Sequence, residues 1–333
     1  MRALVAKQYG PPHLLALEDL PIPDPGPGRL QVRVRAAALN PADLLMMDGT
    51  VRDLVPLDFP YIPGTDFSGT VTALGKDVET FEVGEEVFGF GAPPSFAAGV
   101  GIPAITSGAM AEYAVFAAGD FLARRPDGLS AETAAALPST GMTGLAVIEE
   151  GQFQPGEKVL VIGAGGGIGS VVVPLLADRV DVIATASYED EQYVRDLGAG
   201  EVIDYLEADT VDECLRRVPG GVDVIINLAL KGDPLIEAAR AIKPGGRLLS
   251  TTPGTPAPSA FGRDDLAVSV VMGTLKLTKN TLPAIATHAL RGTLPDPVTR
   301  RYRLSEAALA YQDFAHTHSR GKVVVTMSDE PAP

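Results

Sequence analysis

One stretch limits what this chain can fold into: Val159-Leu160-Val161-Ile162-Gly163-Ala164-Gly165-Gly166-Gly167-Ile168-Gly169. Four consecutive apolar residues with nothing polar between them read as a strand buried on both faces, the habit of a parallel sheet. A glycine turn comes next, and residues 170–177 supply enough apolar positions for a buried helix. Strand, glycine turn and helix are the context a dinucleotide fingerprint requires. In the G-x-G-x-x-G frame Ala164 takes the first place, so the strict pattern fails there, while Gly166 and Gly169 fill the other two. Gly166 would let backbone N–H groups approach a pyrophosphate, and Gly169 would let the helix pack close to the strand. The phosphates would rest on the helix N-terminus, where unpaired N–H groups and the macrodipole favour anions. A glycine-rich surface turn is the competing reading. The strand before the glycines and the apolar segment after them favour the nucleotide, with Gly163, Ala164, Gly165, Gly166, Gly167, Ile168 and Gly169 as its cradle.

The remainder of the chain agrees. At 333 residues it suggests about two domains. Up to about residue 120 it reads as short strands broken by Gly/Pro turns, with residues 30–36 alternating apolar and polar as a half-buried strand does. That spacing suggests a compact barrel or sandwich. Beyond Pro126 the character changes. Ser130 caps a helix, residues 140–150 form another, and strands at 180–185, 201–205, 222–228 and 247–252 alternate with helical segments. Such alternation means parallel β-α-β units and a doubly wound sheet, so the fold class is α/β. Residues 268–275 read as one more strand at a sheet edge, 280–291 and 305–314 as helices, and 322–327 as a last strand. Pro174 should kink or shorten the helix behind the glycines. Residues 92–109, rich in Gly, Pro and Ala, read as a loop shaping substrate access, and 328–333 as a disordered tail.

Composition removes several classes. A formal charge of −15 argues against a general nucleic-acid surface. No apolar run reaches the roughly 18 residues of a membrane span, and the first residues lack the regions of a signal peptide, so a soluble cytoplasmic protein is expected. A single cysteine, Cys214, excludes an internal disulfide and a cysteine-built zinc site.

With these parts placed, the chain resembles the medium-chain dehydrogenase/reductase superfamily and, within it, the zinc-independent quinone oxidoreductase branch. Carrying the likeness are Pro25-Gly26-Pro27-Gly28, Asn40-Pro41-Ala42-Asp43, Pro63-Gly64-Thr65-Asp66-Phe67-Ser68-Gly69, Val83-Gly84-Glu85-Glu86-Val87-Phe88-Gly89, Leu197-Gly198-Ala199, Lys243-Pro244-Gly245-Gly246-Arg247 and Arg320-Gly321-Lys322-Val323-Val324. The resemblance implies a GroES-like β-barrel domain over residues 1–121, completed by 280–333, and a Rossmann domain over 122–279, with the cofactor between them. Asn40 stands where zinc-dependent relatives have a ligating cysteine, and Thr65 where they have a histidine. No metal is therefore expected. Without a Lewis acid, hydride should go to a quinone or an activated enone or enoyl substrate.

That frame also supplies the remaining site residues. NAD is usually held by a carboxylate at the end of the second strand; here that strand ends at Ser187, and no acid comes before Glu189. A small residue and a hydroxyl leave room for a 2′-phosphate. NADPH is expected and NADH less so, although the nearest downstream cation is Arg195 and acids lie between. Tyr205 either packs on the ribose or phosphate or is an exposed strand-end tyrosine. Asn40 either donates a hydrogen bond to a substrate carbonyl oxygen or caps an Asn-Pro turn. Asp43 orients that loop or, more simply, caps the following helix, and Met46 and Met47 suggest an apolar, adaptable pocket. Thr140 and Thr143 match a family helix beside the nicotinamide. Asn227, Leu228, Ala229, Thr251 and Thr252 end strands on the edge where ligands collect. No general acid stands out. Two classes stay open: an NADPH-dependent reductase, and a nucleotide-binding protein with little turnover acting as a redox sensor or through partners. The edge strand would pair across a homodimer, as the resemblance implies.

Overall fold

In the computed structural model the described residues are 1–91 and 108–327, without the side chains of residues 274–275. The expected access loop (but for its last two residues) and the expected tail lie outside them. The chain divides into two units: residues 1–139 with 277–290 and 296–333, and residues 140–276 with 291–295.

The first unit begins with β1 (Arg2–Val5) antiparallel to β2 (Ala16–Asp19). Strand β3 (Arg29–Ala38) buries Val32 and Val34 and exposes Arg33 and Arg35, as its alternation requires. Helix α1 (Pro41–Met47) leaves β3 almost at once, and β4 (Asp66–Leu74), β5 (Glu86–Phe90), β6 (Tyr113–Ala117) and β7 (Leu122–Arg124) complete the first pass. Ser130 caps α2 (Ala131–Ala136), its hydroxyl accepting from the Thr133 N–H at 3.0 Å.

Helix α3 (Pro138–Gly151), whose residues from Thr140 on belong to the second unit, leads into β8 (Lys158–Ile162), α4 (Gly169–Leu176), β9 (Asp181–Ala186), α5 (Glu191–Asp196) and β10 (Glu201–Asp204). Then come α6 (Thr210–Arg217), β11 (Val222–Asn227), α7 (Asp233–Ala238), β12 (Ile242–Ser250) and β13 (Ala267–Val270). The sheet order is β10-β9-β8-β11-β12-β13 and every pairing is parallel. The order reverses between β8 and β11, and that is where open parallel sheets collect ligands. Leu160, Ile225 and Leu248 pack one face of the sheet, and Val159, Val161 and Ile226 the other. Among the described residues no helix is long and apolar enough to cross a membrane.

The chain returns to the first unit through α8 (Thr281–Leu290), β14 (Val298–Arg303), α9 (Ala307–His316) and β15 (Lys322–Thr326). Strand β15 lies between β14 and β3, in a sheet ordered β14-β15-β3-β4-β5-β7 with β6 on β3.

Three expectations change. Residues 122–139 belong with the barrel unit, because β7 pairs with β5 and the alanines of α2 pack on Ala36, Ala38 and Val324. The strand expected over 268–275 stops at Val270: a Cβ on Gly273 would meet the Thr143 backbone N at 2.5 Å, and there the chain turns into a 3-10 segment instead. The fifth parallel strand begins earlier than expected, at Ile242. Helix α4 contains Pro174 and ends two residues beyond it, the shortening its missing N–H predicts.

Candidate functional site

In the second unit the glycine turn sits where β8 ends. Gly163 adopts φ +85°, and its N–H donates to Thr185 Oγ1 at 3.1 Å. The Gly166 N–H returns to the Gly163 carbonyl at 3.2 Å, and the Ser170 N–H to Gly166 at 3.0 Å, which winds the turn into α4. A Cβ on Gly169 would lie 2.0 Å from the Ala164 carbonyl oxygen, so only glycine lets the helix seat there. Gly163 is nearly as closed, with Ala229 Cβ at 3.0 Å. Gly166 differs. Its added Cβ would meet only the Gly163 carbonyl at an ordinary 3.5 Å, so protein packing does not demand the glycine. Among the described residues no side chain caps α4; its Ser170 and Val171 N–H groups turn back to the Gly166 and Ile168 carbonyls, and the positive end of the helix dipole faces the turn.

Several expected cofactor residues surround this turn, and others are spent elsewhere. Leu228 and Ala229 back Gly163. Asn227 is a staple: the two hydrogens of its Nδ2 are shared among the Leu230 carbonyl, Ser250 Oγ and Thr252 Oγ1, and its Oδ1 accepts from the Leu230 N–H at 2.8 Å. Thr252 in turn donates to the Leu230 carbonyl, and the Thr251 N–H to the Asn227 carbonyl. Asn227 and Thr252 thus shape the strand ends rather than offer groups to a ligand. Ser187 is half-buried, with no cap bond from its hydroxyl, and the Tyr205 N–H pairs with Ala186, which places a 45%-exposed tyrosine beside it. Arg195 is committed to Glu191 at 2.8 Å and to the Gly200 carbonyl. Thr140 is buried and Thr143 half-buried on α3. Nothing in the sequence singles out Asp190, yet it is buried, with Oδ2 3.6 Å from where a Gly165 Cβ would lie.

In the first unit the Asn40–Asp43 loop is a polar knot inside an apolar core. Asp43 caps α1, taking the Asn40 N–H at 2.9 Å and the Tyr311 hydroxyl at 3.3 Å on Oδ2. The Asn40 amide turns inward: Nδ2 donates to Thr65 Oγ1 at 3.2 Å and Asp66 Oδ2 at 3.0 Å. Its Oδ1 accepts from Lys322 Nζ at 2.5 Å. Lys322 also donates to the Leu39 carbonyl at 2.9 Å and faces Asp66 Oδ2 at 3.5 Å. Asp66 Oδ1 accepts both the N–H and the hydroxyl of Ser139. Met46 and Met47 are buried in the core of this unit. Of these residues only Asn40 and Asp43 were expected to act. The signal for the others was visible: a lysine opening the apolar run Val323-Val324-Val325, and an acid directly before Phe67. Both are sites where an unpaired charge would be costly.

Burial dominates the electrostatics. It lifts the Asp43 carboxyl to about 7, helped by the neighbouring charge of Asp66 and opposed by the Asn40 N–H. Asp66 is also raised by burial, against the pull of Lys322, and burial lowers Lys322. Among the described residues the second Asp43 oxygen, Oδ1, has no partner, which suits a neutral carboxyl. Among the described residues no three His, Cys, Asp or Glu side chains are placed to hold a metal ion.

Residues 26–127 match the family described as the alcohol dehydrogenase GroES-like domain, and residues 197–325 match the family described as zinc-binding dehydrogenase. The chain is 29% identical over 326 residues to the chloroplastic quinone-oxidoreductase QR1 of Triphysaria versicolor, with 92% of each covered. The solved quinone oxidoreductase of Coxiella burnetii is 28% identical, covers 98% of this chain and 99% of its own, and superimposes with a TM-score of 0.85. A structure described as an NAD-dependent alcohol dehydrogenase is 31% identical, with 98% and 100% covered and a TM-score of 0.82.

Gly169→Ala should destabilise the second unit by about 1–3 kcal/mol, since its methyl meets a carbonyl that cannot yield; the shift in its urea midpoint measures this. Asp43 has a folded pKa above its unfolded value of 3.8. Its contribution to stability is therefore complete below pH 4 and is lost as pH rises toward about 7. Against Asp43→Asn, wild-type stability should decline by up to ~4 kcal/mol across that window, at ~1.4 kcal/mol per pKa unit. Denaturant titrations at pH 4.5, 6 and 8 would show equal declines in both proteins if the carboxyl titrates normally.

Proposed function

Because the chain belongs to the medium-chain dehydrogenase/reductase superfamily, in its quinone oxidoreductase branch, and is by that membership an oxidoreductase, we propose that it reduces a quinone or an α,β-unsaturated carbonyl compound with NADPH. One observation carries the reading: Gly166 keeps a space beside the uncapped N-terminus of α4 that no protein atom requires. A pyrophosphate fits such a space, because the helix dipole answers its charge and a glycine lets it approach the backbone closely. When bound, the reduced nicotinamide would supply the hydride. The chain's part is to cradle the diphosphate between Gly163 and Gly169 and to present a hydroxyl at Ser187, beside Tyr205, to the adenosine end. That hydroxyl leaves room for a 2′-phosphate. Asp190, a buried carboxylate on the same turn, favours NADH as the second reading, and Arg195 does not offset it while paired with Glu191.

Zinc does not fit the positions of Asn40 and Thr65. The Asn40 oxygen is already taken by an ammonium at 2.5 Å, whose charge repels a dication, and Thr65 offers a neutral hydroxyl. An acceptor that needs no Lewis acid agrees with that chemistry. Among the described residues strand β13 has a neighbour on one side only, and Val270 and Met272 are exposed near it; we propose that it pairs with a second copy to form a homodimer.

Gly166→Ala tests the cradle. The variant should keep wild-type stability within about 1 kcal/mol, because its methyl meets no protein atom closely, yet bind NADPH at least tenfold more weakly by fluorescence titration. Unchanged binding would remove the pyrophosphate from this turn. With a panel of quinones, enones and enals, acceptor-dependent loss of NADPH absorbance is expected and should exceed that of NADH. No turnover with any acceptor would favour a nucleotide-binding protein of low activity. Sedimentation equilibrium should report a dimer, and a monomer at micromolar concentration would sink the β13 pairing.

A further inference from the structure

The direction of the hydrogen bonds in the buried knot identifies its free end. Lysine can only donate, so the Asn40 atom facing Lys322 must be the carbonyl oxygen, and the amide orientation is chemically fixed. Both Nδ2 hydrogens then point to Thr65 Oγ1 and Asp66 Oδ2. The Asn40 amide, expected to reach a substrate, has no donor left. Thr65 Oγ1 accepts from Asn40, and among the described residues nothing accepts the proton of the Thr65 hydroxyl. The chain of donors runs one way, from Lys322 to Asn40 to Thr65, and ends in an unused O–H. Both Thr65 and Asn40 keep a remnant of exposure, 3% and 6%.

We propose that the Thr65 hydroxyl is the hydrogen-bond donor to the carbonyl oxygen of the acceptor, with Asn40 and Lys322 as positioning residues that aim and polarise it. The proposal rests on the reading of this protein as a reductase of carbonyl-activated acceptors. When hydride adds to the conjugated carbon, the displaced π pair collects on the carbonyl oxygen. Thr65 would stabilise that oxyanion by a hydrogen bond without giving up its proton, and solvent completes the product. Each donation upstream strengthens the next donor, and the charge at the head of the series is a buried ammonium. The Thr65 backbone is held for the task, its carbonyl accepting the Gly91 N–H at 2.8 Å. Gly64 before it has φ +97°, with Met110 closing over its Cβ position at 3.0 Å.

The test compares Thr65→Val, which keeps the shape and removes the donor, with Thr65→Ser, which restores it, and with Lys322→Met. Thr65→Val should lose roughly 10²-fold in kcat, as deletion of one oxyanion donor does. Its KM and its affinity for NADPH should stay within about threefold of wild type, and Thr65→Ser should recover most of the rate. Lys322→Met, where it folds, should lose kcat by a smaller factor with the same split. A Raman measurement is independent of turnover: the carbonyl stretch of an enone bound beside NADP+ should fall in wild type and Thr65→Ser and rise back in Thr65→Val. Equal kcat and equal carbonyl frequency in wild type and Thr65→Val would overturn the assignment while leaving the reductase reading intact. Absence of turnover by wild type with every acceptor would overturn both.

Discussion

A buried ammonium tolerates no missing acceptor, and the first unit is assembled around one. Lys322 lies on the last strand, yet its three partners come from the Leu39 carbonyl, the Asn40 amide and the Asp66 carboxylate, more than 250 residues earlier. Removing any one leaves a desolvated charge, at a cost of several kcal/mol. Replacing the set with apolar residues would cost far less, so stability alone does not account for the arrangement. What the set supplies is position: it fixes the backbone at residue 40, the amide just after β3 and the start of β4 against the closing strand. Asp43 extends the knot to Tyr311 on α9. One charge thereby registers four separate segments.

The second unit solves its problem with absence rather than charge. A parallel sheet buried on both faces leaves its strand ends as the only irregular backbone near the reversal of strand order. There the turn after β8 must pass close to the strand end at 228–229 and to its own helix, and Gly163 and Gly169 satisfy packing at those two places. Gly166 answers to neither demand. A glycine that the fold does not need is stronger grounds for a ligand than one that it does, since the second kind occurs in any tight turn.

Much of this was legible along the chain. Uninterrupted apolar runs gave the parallel strands, and Ser130 and Asp43 gave helix starts, because a cap speaks to neighbours three residues away. Features that depend on distant partners were not legible. The lysine at 322 reads as the first residue of a strand, and nothing local says that its amine crosses to residue 40. The domain boundary fell at 139 rather than 121 because the alanines of α2 look like any short helix until they meet Ala36 and Ala38. Asp190 reads as one of three exposed acids, and only the fold buries it against the turn.

Asn40 and Asn227 were both expected to serve ligands, since an amide at a strand end offers a donor and an acceptor. In both, the donors are consumed inside the protein, by Thr65 and Asp66 in one unit and by Leu230, Ser250 and Thr252 in the other. An amide side chain has few hydrogen-bonding places, and a strand end already has unpaired backbone and hydroxyl groups that compete for them. Where the protein fills those places first, the capacity to act on a ligand passes to whichever group ends the chain of donors. In the second unit that chain closes on a backbone carbonyl, at Leu230, and nothing remains to offer. In the first it ends, among the described residues, on a hydroxyl with its proton unspent, which is why chemistry is assigned to one asparagine's surroundings and only support to the other's.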